Sequence, residues 1–234
     1  MADSEGNDFK GHCGGIAYFK GKVYVAGSSD ACLYVFDPAD IRNADSGEKV
    51  IYKDVIDLTF EDDGIGVSFV ATDGDLLYAG EFYREGNYET NPLHYVETAD
   101  GTQRALMVGL DIDQNTAVPQ IAYSIPNQIQ GAAFCEKRLF LSESYGLAFS
   151  HIYEYDLSKV VASGTHTVLG VEVPLMILDS TVCEKTYKIA PMSEEIDFAN
   201  GRMYTMCESA SDKYIFGKLT GAERVYATDI DKLK

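Results

Sequence analysis

A strand–turn–strand pattern recurs four times along this 234-residue chain. The first copy spans residues 14–28, and the four copies align when the charged residue after each turn is placed in register, at Lys22, Asp75, Arg138 and Arg202. Three of the four turns contain glycine, in Phe-Lys-Gly, Thr-Asp-Gly and Ala-Asn-Gly, where a tight reversal requires positive φ. A fold built from four equivalent hairpins is therefore predicted.

Each hairpin is followed by a third strand that ends in aspartate, at Asp37, Asp111, Asp156 and Asp229. We assign these aspartates to turns, which accept Asp readily, and not to function. A fourth strand is expected after three of the hairpins, at residues 50–53, 120–124 and 173–178. Four-stranded units that recur about every 50–65 residues are typical of propeller blades. The predicted fold is an all-β propeller with four recognisable blades, at about residues 12–57, 65–125, 129–178 and 192–234.

The domain organisation follows from the repeat. Residues 1–11 are predicted to be a polar N-terminal segment, and residues 12–234 a single propeller domain. Only residues 230–234 follow the third strand of the last blade, which makes that blade incomplete. Two interpretations stay open: the chain closes weakly as four blades, or the four units belong to a five-bladed ring.

Composition excludes several classes of partner. The net charge of −18 opposes binding to nucleic acid and to anionic membranes, and no apolar stretch is long enough for membrane insertion. The first residues lack the basic and apolar parts of a signal peptide. None of the five cysteines forms a Cys-x-x-Cys pair, and we predict mostly small buried residues, with Cys183–Cys207 as the pairing to test for a disulfide.

Several segments resemble a known group of proteins. They are His-Cys-Gly-Gly-Ile-Ala-Tyr at residues 12–18, Ser-Ile-Pro-Asn-Gln-Ile-Gln-Gly at 124–131, Leu-Ser-Glu-Ser-Tyr-Gly at 141–146, Met-Ser-Glu-Glu at 192–195, Glu-Ser-Ala at 208–210 and Lys-Tyr-Ile-Phe-Gly at 213–217. In these the chain is similar to uncharacterised, mostly exported β-propeller proteins of Gram-positive bacteria. The resemblance implies an extracellular or cell-surface location and a further blade ahead of the segment that matches His12. It supplies no catalytic residue.

The hairpins also predict where a site would lie. The start of the first strand of each blade lies beside the end of the second, and the first strands line the central channel. The expected neighbours are Gly14 with Ser28, Val67 with Glu81, Gln130 with Ser144, and Glu194 with Glu208. The connections that carry His94, Tyr145 and Lys213 leave from the same end. We therefore expect one mouth of the channel to hold the chain's unusual residues.

Two chemical interpretations of this mouth involve its charged residues. The carboxylates of Glu81, Glu194, Glu195 and Glu208, with Gln130, suit a hard cation such as Ca²⁺ or Mg²⁺. The alternative is that each glutamate bonds backbone amides or pairs with a lysine.

Catalysis by His12 or His94 with a nearby carboxylate is the second interpretation. Hydrolase or lyase action on a carbohydrate would need two facing carboxylates, for which Glu81 and Glu208 are candidates by position alone. No Gly-x-Ser-x-Gly elbow is present. The competing explanation has His12 bonded to backbone at a strand start and His94 packed on Tyr95.

Recognition is the third interpretation, because aromatic residues lie in or beside the insertions. They are Phe82, Tyr83, Tyr88, Tyr95, Tyr145, Phe149, Tyr214 and Phe216. Such side chains bind glycans or peptides when exposed and pack long loops when buried. The predicted function is a binding or scaffold module that recognises a small molecule, glycan or peptide at one loop-rich face. The alternative is a metal-assisted hydrolase or lyase that acts on an extracellular carbohydrate or ester. The candidate ligand residues are His12, Glu81, His94, Gln130, Ser144, Tyr145, Glu194, Glu208, Lys213 and Tyr214.

Overall fold

A computed structural model of the chain describes residues 1–3, 5–208, 211 and 224–232. Within these residues the strands form four blades arranged as a β-propeller, which confirms the predicted all-β fold. The innermost strand of each blade is β1 (Cys13–Phe19), β7 (Val67–Thr72), β13 (Ile129–Cys135) and β19 (Ser193–Ala199). β1 packs against β7, β7 against β13, and β13 against β19.

Blade one is a four-stranded antiparallel sheet in chain order. After β1 come β2 (Lys22–Gly27), β3 (Cys32–Phe36), the helix α1 (Pro38–Asn43) and β4 (Asp54–Asp57). The fourth strand thus lies beyond the predicted residues 50–53. Ile56 is fully buried against blade two, whereas Ile51 is partly exposed and pairs with Ala2 of the N-terminal segment.

Blade two contains the large insertion. A short hairpin of β5 (Thr59–Phe60) and β6 (Asp63–Gly64) precedes the first strand of the blade, β7, which pairs with β8 (Leu77–Glu81). The insertion forms a 3-10 turn, Pro92–His94, and a small hairpin of β9 (Val96–Thr98) and β10 (Gly101–Gln103). β11 (Ala105–Asp113) and β12 (Thr116–Ile125) complete the blade, and β12 contains the fourth strand predicted at residues 120–124.

Blade three differs from the prediction in its outer strand. β13 is followed by β14 (Arg138–Glu143) and β15 (Ser150–Asp156), and then by a hairpin of β16 (Ala162–Val168) and β17 (Val171–Ile177). β17 pairs in parallel with β12 of blade two, where Val173 and Leu175 are buried in the apolar cluster between blades one and two. The predicted fourth strand at residues 173–178 therefore belongs to the sheet of blade two. β18 (Cys183–Ile189) takes the fourth position in blade three.

Blade four has three strands in the described part of the chain. They are β19, β20 (Arg202–Cys207) and β21 (Tyr226–Thr228), and a 3-10 turn, Ile230–Lys232, follows them. An incomplete last blade was predicted from the short C-terminal sequence.

The hairpin turns have the backbone that their residues require. Gly21, Gly74 and Gly201 all have positive φ, between 72° and 98°. In the third copy, which lacks glycine, Glu136 takes the left-handed conformation with φ of 56°. The four turns differ, however: Lys20 and Asn200, which precede Gly21 and Gly201, also have positive φ, of 44° and 53°, whereas the second and third turns have positive φ only at Gly74 and at Glu136.

All five cysteines are free thiols. Cys183 lies on β18 of blade three and Cys207 on β20 of blade four, and the disulfide considered between them is not formed. Cys32 and Cys207 are buried, Cys135 and Cys183 are half-buried, and Cys13 is exposed. In the residues described, no helix has the length and apolar character needed to cross a membrane.

Candidate ligand site at the channel mouth

A β-bulge interrupts each of the four inner strands near its start. The pairing with the second strand shifts by one residue between Cys13 and Ile16, Val67 and Phe69, Ile129 and Gly131, and Ser193 and Ile196. Bulges re-aim side chains and are common beside functional sites. Here they place Gly14, Ser68, Gln130 and Glu194 at one end of the channel.

Blade two is shifted by one residue at the mouth relative to the alignment on charged residues, because its hairpin closes at the Thr72–Leu77 pair and Asp75 lies inside the turn. Val67 does pair with Glu81, as predicted. In the other blades, the second-strand residues that correspond to Glu81 are Gly27, Glu143 and Cys207. Ser28, Ser144 and Glu208 lie one residue further along. Since successive side chains in a strand point to opposite faces, Glu81 is out of register with these three. The residue of blade two that corresponds to Glu208 is Phe82.

Glu81 belongs to a buried network inside blade two. Its Oε1 lies 2.9 Å from Nδ1 of His94, and its Oε2 accepts a hydrogen bond from the Leu106 amide at 3.0 Å. On the other side of the imidazole, Nε2 of His94 lies 2.7 Å from Oδ1 of Asp63. Oδ2 of Asp63 accepts from the Leu169 amide in the turn between β16 and β17. The network thus joins the insertion of blade two to the added hairpin.

The two carboxylates fix the charge of His94. Burial alone would lower the pKa of this imidazole, but the hydrogen bond and charge of Glu81, together with Asp63, outweigh burial and raise the pKa. With an acceptor at each ring nitrogen, the protonated ring donates two hydrogen bonds. His94 is fully buried, and its imidazole lies between Glu81 and Asp63. No sequence pattern indicates Asp63 as a partner of His94.

Glu194 and Glu208 meet at the mouth, as predicted. They share a hydrogen bond, and burial, followed by the charge of Glu208, raises the pKa of Glu194 to about 8. Both residues are half-buried. Near neutral pH Glu194 therefore keeps its proton and can donate it at this position.

Glu195 extends from the same bulge into the channel. A Cβ atom added to Gly15 would lie 2.8 Å from Oε2 of Glu195, and one added to Gly131 would lie 2.9 Å from Oε1. The carboxyl group therefore fills the space between blades three and one, where only glycine leaves room for it. Both carboxyl oxygens are buried, although the rest of the residue is partly accessible.

The carboxyl group of Glu195 has no hydrogen-bond partner at good geometry in the described residues. Burial raises its pKa well above the usual range, and the nearby amides of Ala132 and Ile196 oppose this only in part. The Ser28 hydroxyl, beside Gly14, is likewise buried without a partner among the described residues. Unpaired buried groups of this kind are uncommon in folded proteins.

Serine hydroxyls occupy the seam between blades three and four. Ser144 Oγ accepts from Ser150 Oγ at 2.8 Å, and Ser150 Oγ accepts from the Ser193 amide. Ser142 and Ser193 are joined by a 2.8 Å hydrogen bond between their hydroxyls. Ser144, a predicted ligand residue, is thus buried and used structurally.

An exposed cluster lies where the connections leave blades two and three. Arg84 Nη1 donates to the Tyr145 hydroxyl at 2.6 Å, and its guanidinium carbon lies 3.7 Å from the centroid of that ring. Phe82 lies between Tyr145 and Tyr88, with ring centroids 6.4 and 5.4 Å away, and its contact with Tyr88 is edge-to-face. Tyr145 and Tyr88 are exposed, whereas Phe82 is buried. We call these four residues the Arg84 cluster; Arg84 itself was not predicted, since the sequence singled out only aromatic residues here.

The remaining candidates are spread more widely. The side chain of His12 is exposed, and its backbone carbonyl accepts from the Ser28 amide. Gln130 is half-buried at the bulge of β13. Tyr83 is buried, Tyr95 is half-buried and Phe149 is exposed beside Lys188. Lys213, Tyr214 and Phe216 lie outside the described residues.

The predicted cation site is assembled only in part. The structure brings Glu194 to Glu208 and places Glu195 on the same bulge, but it binds Glu81 to His94 instead. In the described ranges, no group of three or more His, Cys, Asp or Glu side chains is placed to hold a metal ion.

Comparison with known proteins supports the fold. No family model matches the sequence, and no curated protein is significantly similar to it. A glutaminyl cyclase from Myxococcus xanthus is similar in structure, with a TM-score of 0.50 and 11% sequence identity, over 83% of this chain and 61% of that one. The chain thus spans less than two thirds of the cyclase, and at this identity the likeness concerns the fold alone.

Two computationally designed proteins show a weaker likeness. Ika4 has a TM-score of 0.38 and 12% identity, over 86% of this chain and 89% of Ika4. Ika8 has a TM-score of 0.39 and 11% identity, over 88% of this chain and 48% of Ika8.

Proposed function

We propose that this protein is a binding module that recognises a small molecule, glycan or peptide at the bulged end of its channel. The observation that carries the proposal is that polar and aromatic groups converge there. The Glu194–Glu208 pair and the Arg84 cluster follow equivalent strand ends in neighbouring blades. Rigid aromatic rings beside hydrogen-bonding carboxyl groups are the usual components of such recognition surfaces.

The setting that we propose is extracellular or at the cell surface. This location rests on the resemblance to exported propeller proteins, and an acidic surface keeps a binding protein soluble there. The charge of −18 also repels nucleic acid. The ligand is therefore expected to be neutral or basic.

A screen by thermal unfolding tests this proposal. The purified chain is heated with chito- and cello-oligosaccharides and with short neutral or basic peptides, because a ligand that binds only the native state raises the melting temperature. We expect a component that stabilises the wild type, and a smaller shift in Tyr145→Ala and Glu194→Gln. Val118→Ala is the control, since Val118 is an exposed apolar residue at the opposite end of blade two from the mouth. An equal shift in Tyr145→Ala and wild type would contradict the proposal.

An acid–base enzyme is the second candidate, and the proton that Glu194 keeps near neutral pH, beside Glu208, favours it. The reaction would be hydrolysis or elimination on an extracellular carbohydrate or ester. Ca²⁺ or Mg²⁺ is added in the assay, although no three carboxyl groups of the described residues are placed to hold a cation. Glutaminyl cyclisation joins the assay panel only because a cyclase has a similar fold.

The enzyme assay separates the two candidates. Nitrophenyl glycosides, nitrophenyl acetate and a peptide with N-terminal glutamine are incubated with the protein, with and without 5 mM Ca²⁺ (a concentration of order millimolar, as for weak extracellular sites). Turnover that falls at least tenfold in both Glu194→Gln and Glu208→Gln would establish the enzyme. Binding without turnover supports the module.

A further inference from the structure

One face of blade one is partly uncovered. The repeat predicts that a preceding blade packs against this face, and no inner strand of the described residues makes that contact. In each inner strand, one apolar residue faces the preceding blade. It lies three positions after the last paired residue before the bulge. Val70, Ala132 and Ile196 occupy this position in blades two, three and four, and each is only 2% exposed. Ile16 occupies it in blade one and is 60% exposed.

The exposed surface continues from Ile16 across the sheet. Tyr18, two residues further along β1, is 64% exposed on the same face. Val25 and Tyr34 extend the row outward, where Phe9 of the N-terminal segment packs on Tyr34 with centroids 4.9 Å apart. The N-terminal segment therefore covers the outer half of this face and leaves the half nearest the channel open.

The opposite wall belongs to blade four. The residue that faces the following blade is Ala17 in blade one, Ala71 in blade two and Ala133 in blade three, and all three are buried. In blade four the equivalent residue is Asp197, which is exposed, and Met206 lies exposed beside it on β20. A carboxylate cannot be buried against an apolar blade without a large cost.

Close to the axis, the two walls approach each other through the carboxyl group of Glu195, which lies against Gly15. Further out, in the part of the chain that is described, β19 and β1 do not form the packed contact that the other three pairs of inner strands share. The space between blades four and one is thus bounded by Ile16 and Tyr18 on one side and by Asp197 and Met206 on the other. The buried carboxyl group without a partner lies at its inner end.

We propose that this space is a docking surface for a basic β-hairpin of a partner protein, which packs between blades four and one as a further blade. Its small apolar residues would cover Ile16 and Tyr18, as the alanines of each blade cover the next. Its lysine or arginine side chains would face Asp197. A second copy of this chain is disfavoured by the net charge of −18.

A designed pair of peptides tests the surface. Each hairpin has two seven-residue strands, about the usual length of a strand, joined by Asn-Gly, with alanine and valine on one face. The other face carries lysine in one peptide and glutamate in the other. Binding is followed by fluorescence anisotropy at low salt and again at high salt, where contacts between exposed charges are screened. We expect the lysine hairpin to bind at least tenfold more tightly than the glutamate hairpin.

Matched double variants show whether binding uses this surface. Ile16→Ser with Tyr18→Ser removes the apolar wall without adding charge, and should weaken binding of the lysine hairpin at least tenfold. Val118→Ser with Val161→Ser removes two exposed apolar side chains of other blades and should leave binding unchanged. Because all four side chains are exposed, the variants should fold, which circular dichroism checks.

Three outcomes overturn the proposal. They are no binding of the lysine hairpin, equal loss in both double variants, and a dimer in sedimentation that Ile16→Ser with Tyr18→Ser dissociates, which would make a second copy the occupant. None of them bears on the ligand at the channel mouth, because these variants leave Glu194 and Tyr145 in place.

Discussion

His94 Nδ1 lies 2.9 Å from Oε1 of Glu81, and neither side chain is exposed to solvent. Asp63 closes the other side of the imidazole. Two carboxylates and one imidazolium leave the group with one net negative charge, which the amides of Leu106 and Leu169 help to balance. The insertion of blade two is therefore fixed to the blade by charge-assisted hydrogen bonds.

Removing the imidazole should destabilise the protein strongly. His94→Asn leaves the buried carboxylate of Glu81 and the half-buried one of Asp63 without their cation, and breaking a buried pair in this way costs about 3–5 kcal/mol. The measurement is urea unfolding near pH 6.5. His151→Asn is the control, because His151 and Glu143 form a pair of the same length, 3.0 Å, that is partly exposed. Its loss should cost less than about 1 kcal/mol, and equal losses in the two variants would contradict the assignment.

The Glu81 network also shows what the sequence could and could not predict. The four hairpins, their turns and the β fold follow from a short repeat whose apolar residues alternate. The register at the mouth does not, because the blade-two hairpin closes at the Thr72–Leu77 pair, so that Asp75 lies inside its turn, whereas Lys22, Arg138 and Arg202 follow theirs. This shift of one residue turns Glu81 away from the expected ring, toward His94.

The placement of β17 was missed for a similar reason. Residues 173–178 follow the third strand of blade three, and chain order predicts that they complete it. Burial of Val173 and Leu175 beside blade two decides otherwise, and such long-range packing is not visible in local sequence. By contrast, the meeting of Glu194 and Glu208 was predicted correctly, since both lie at the same end of one hairpin.

Stability should fall as the pH rises from about 5 to 9. Glu194 and Glu195 both have a raised pKa in the folded state, so the native protein binds more protons than the unfolded chain above about pH 4.5. The stabilisation is complete below the unfolded pKa and is lost as the pH passes the folded values, about 8 for Glu194. His94, whose pKa is also raised, contributes in the same direction.

Urea unfolding at a series of pH values measures this effect. Glu194→Gln and Glu195→Gln should each flatten the fall between pH 5 and pH 9, because a neutral amide replaces a carboxyl group that is protonated at low pH. Glu97→Gln is the control, since Glu97 is exposed. A wild-type stability that rises across this range would show that these carboxyl groups are ionised in the native state.

Arg84 and Tyr145 should be energetically coupled. The guanidinium group both stacks on the ring and donates to its hydroxyl, and it joins the connections of two blades. A double-mutant cycle with Arg84→Ala and Tyr145→Leu should give a coupling energy of about 0.5–1 kcal/mol, the range for exposed cation–π pairs. The corresponding cycle on Lys188 and Phe149, which form a looser contact of 4.0 Å, should give less. Strict additivity at Arg84 and Tyr145 would mean that the cluster is not ordered in solution.

Gly14 should be the least tolerant glycine at the mouth. A Cβ atom at this position would lie 2.0 Å from the backbone carbonyl oxygen of Ser68, and backbone cannot move aside as a side chain can. Gly14→Ala must therefore push β1 away from β7. We expect a loss of stability of about 3 kcal/mol, the upper end of the range typical of overpacking.

Gly66→Ala is the matched control for Gly14→Ala. A Cβ atom at Gly66 meets nothing within 4 Å, so this substitution should be neutral or slightly stabilising through the unfolded state. Urea midpoints of the two variants, measured at one pH, compare them directly. If Gly14→Ala unfolds at the wild-type midpoint, β1 and β7 cannot approach as closely as the structure has them. The channel beside Gly14 would then be wider than the structure shows, and the carboxyl group of Glu195 would not fill it.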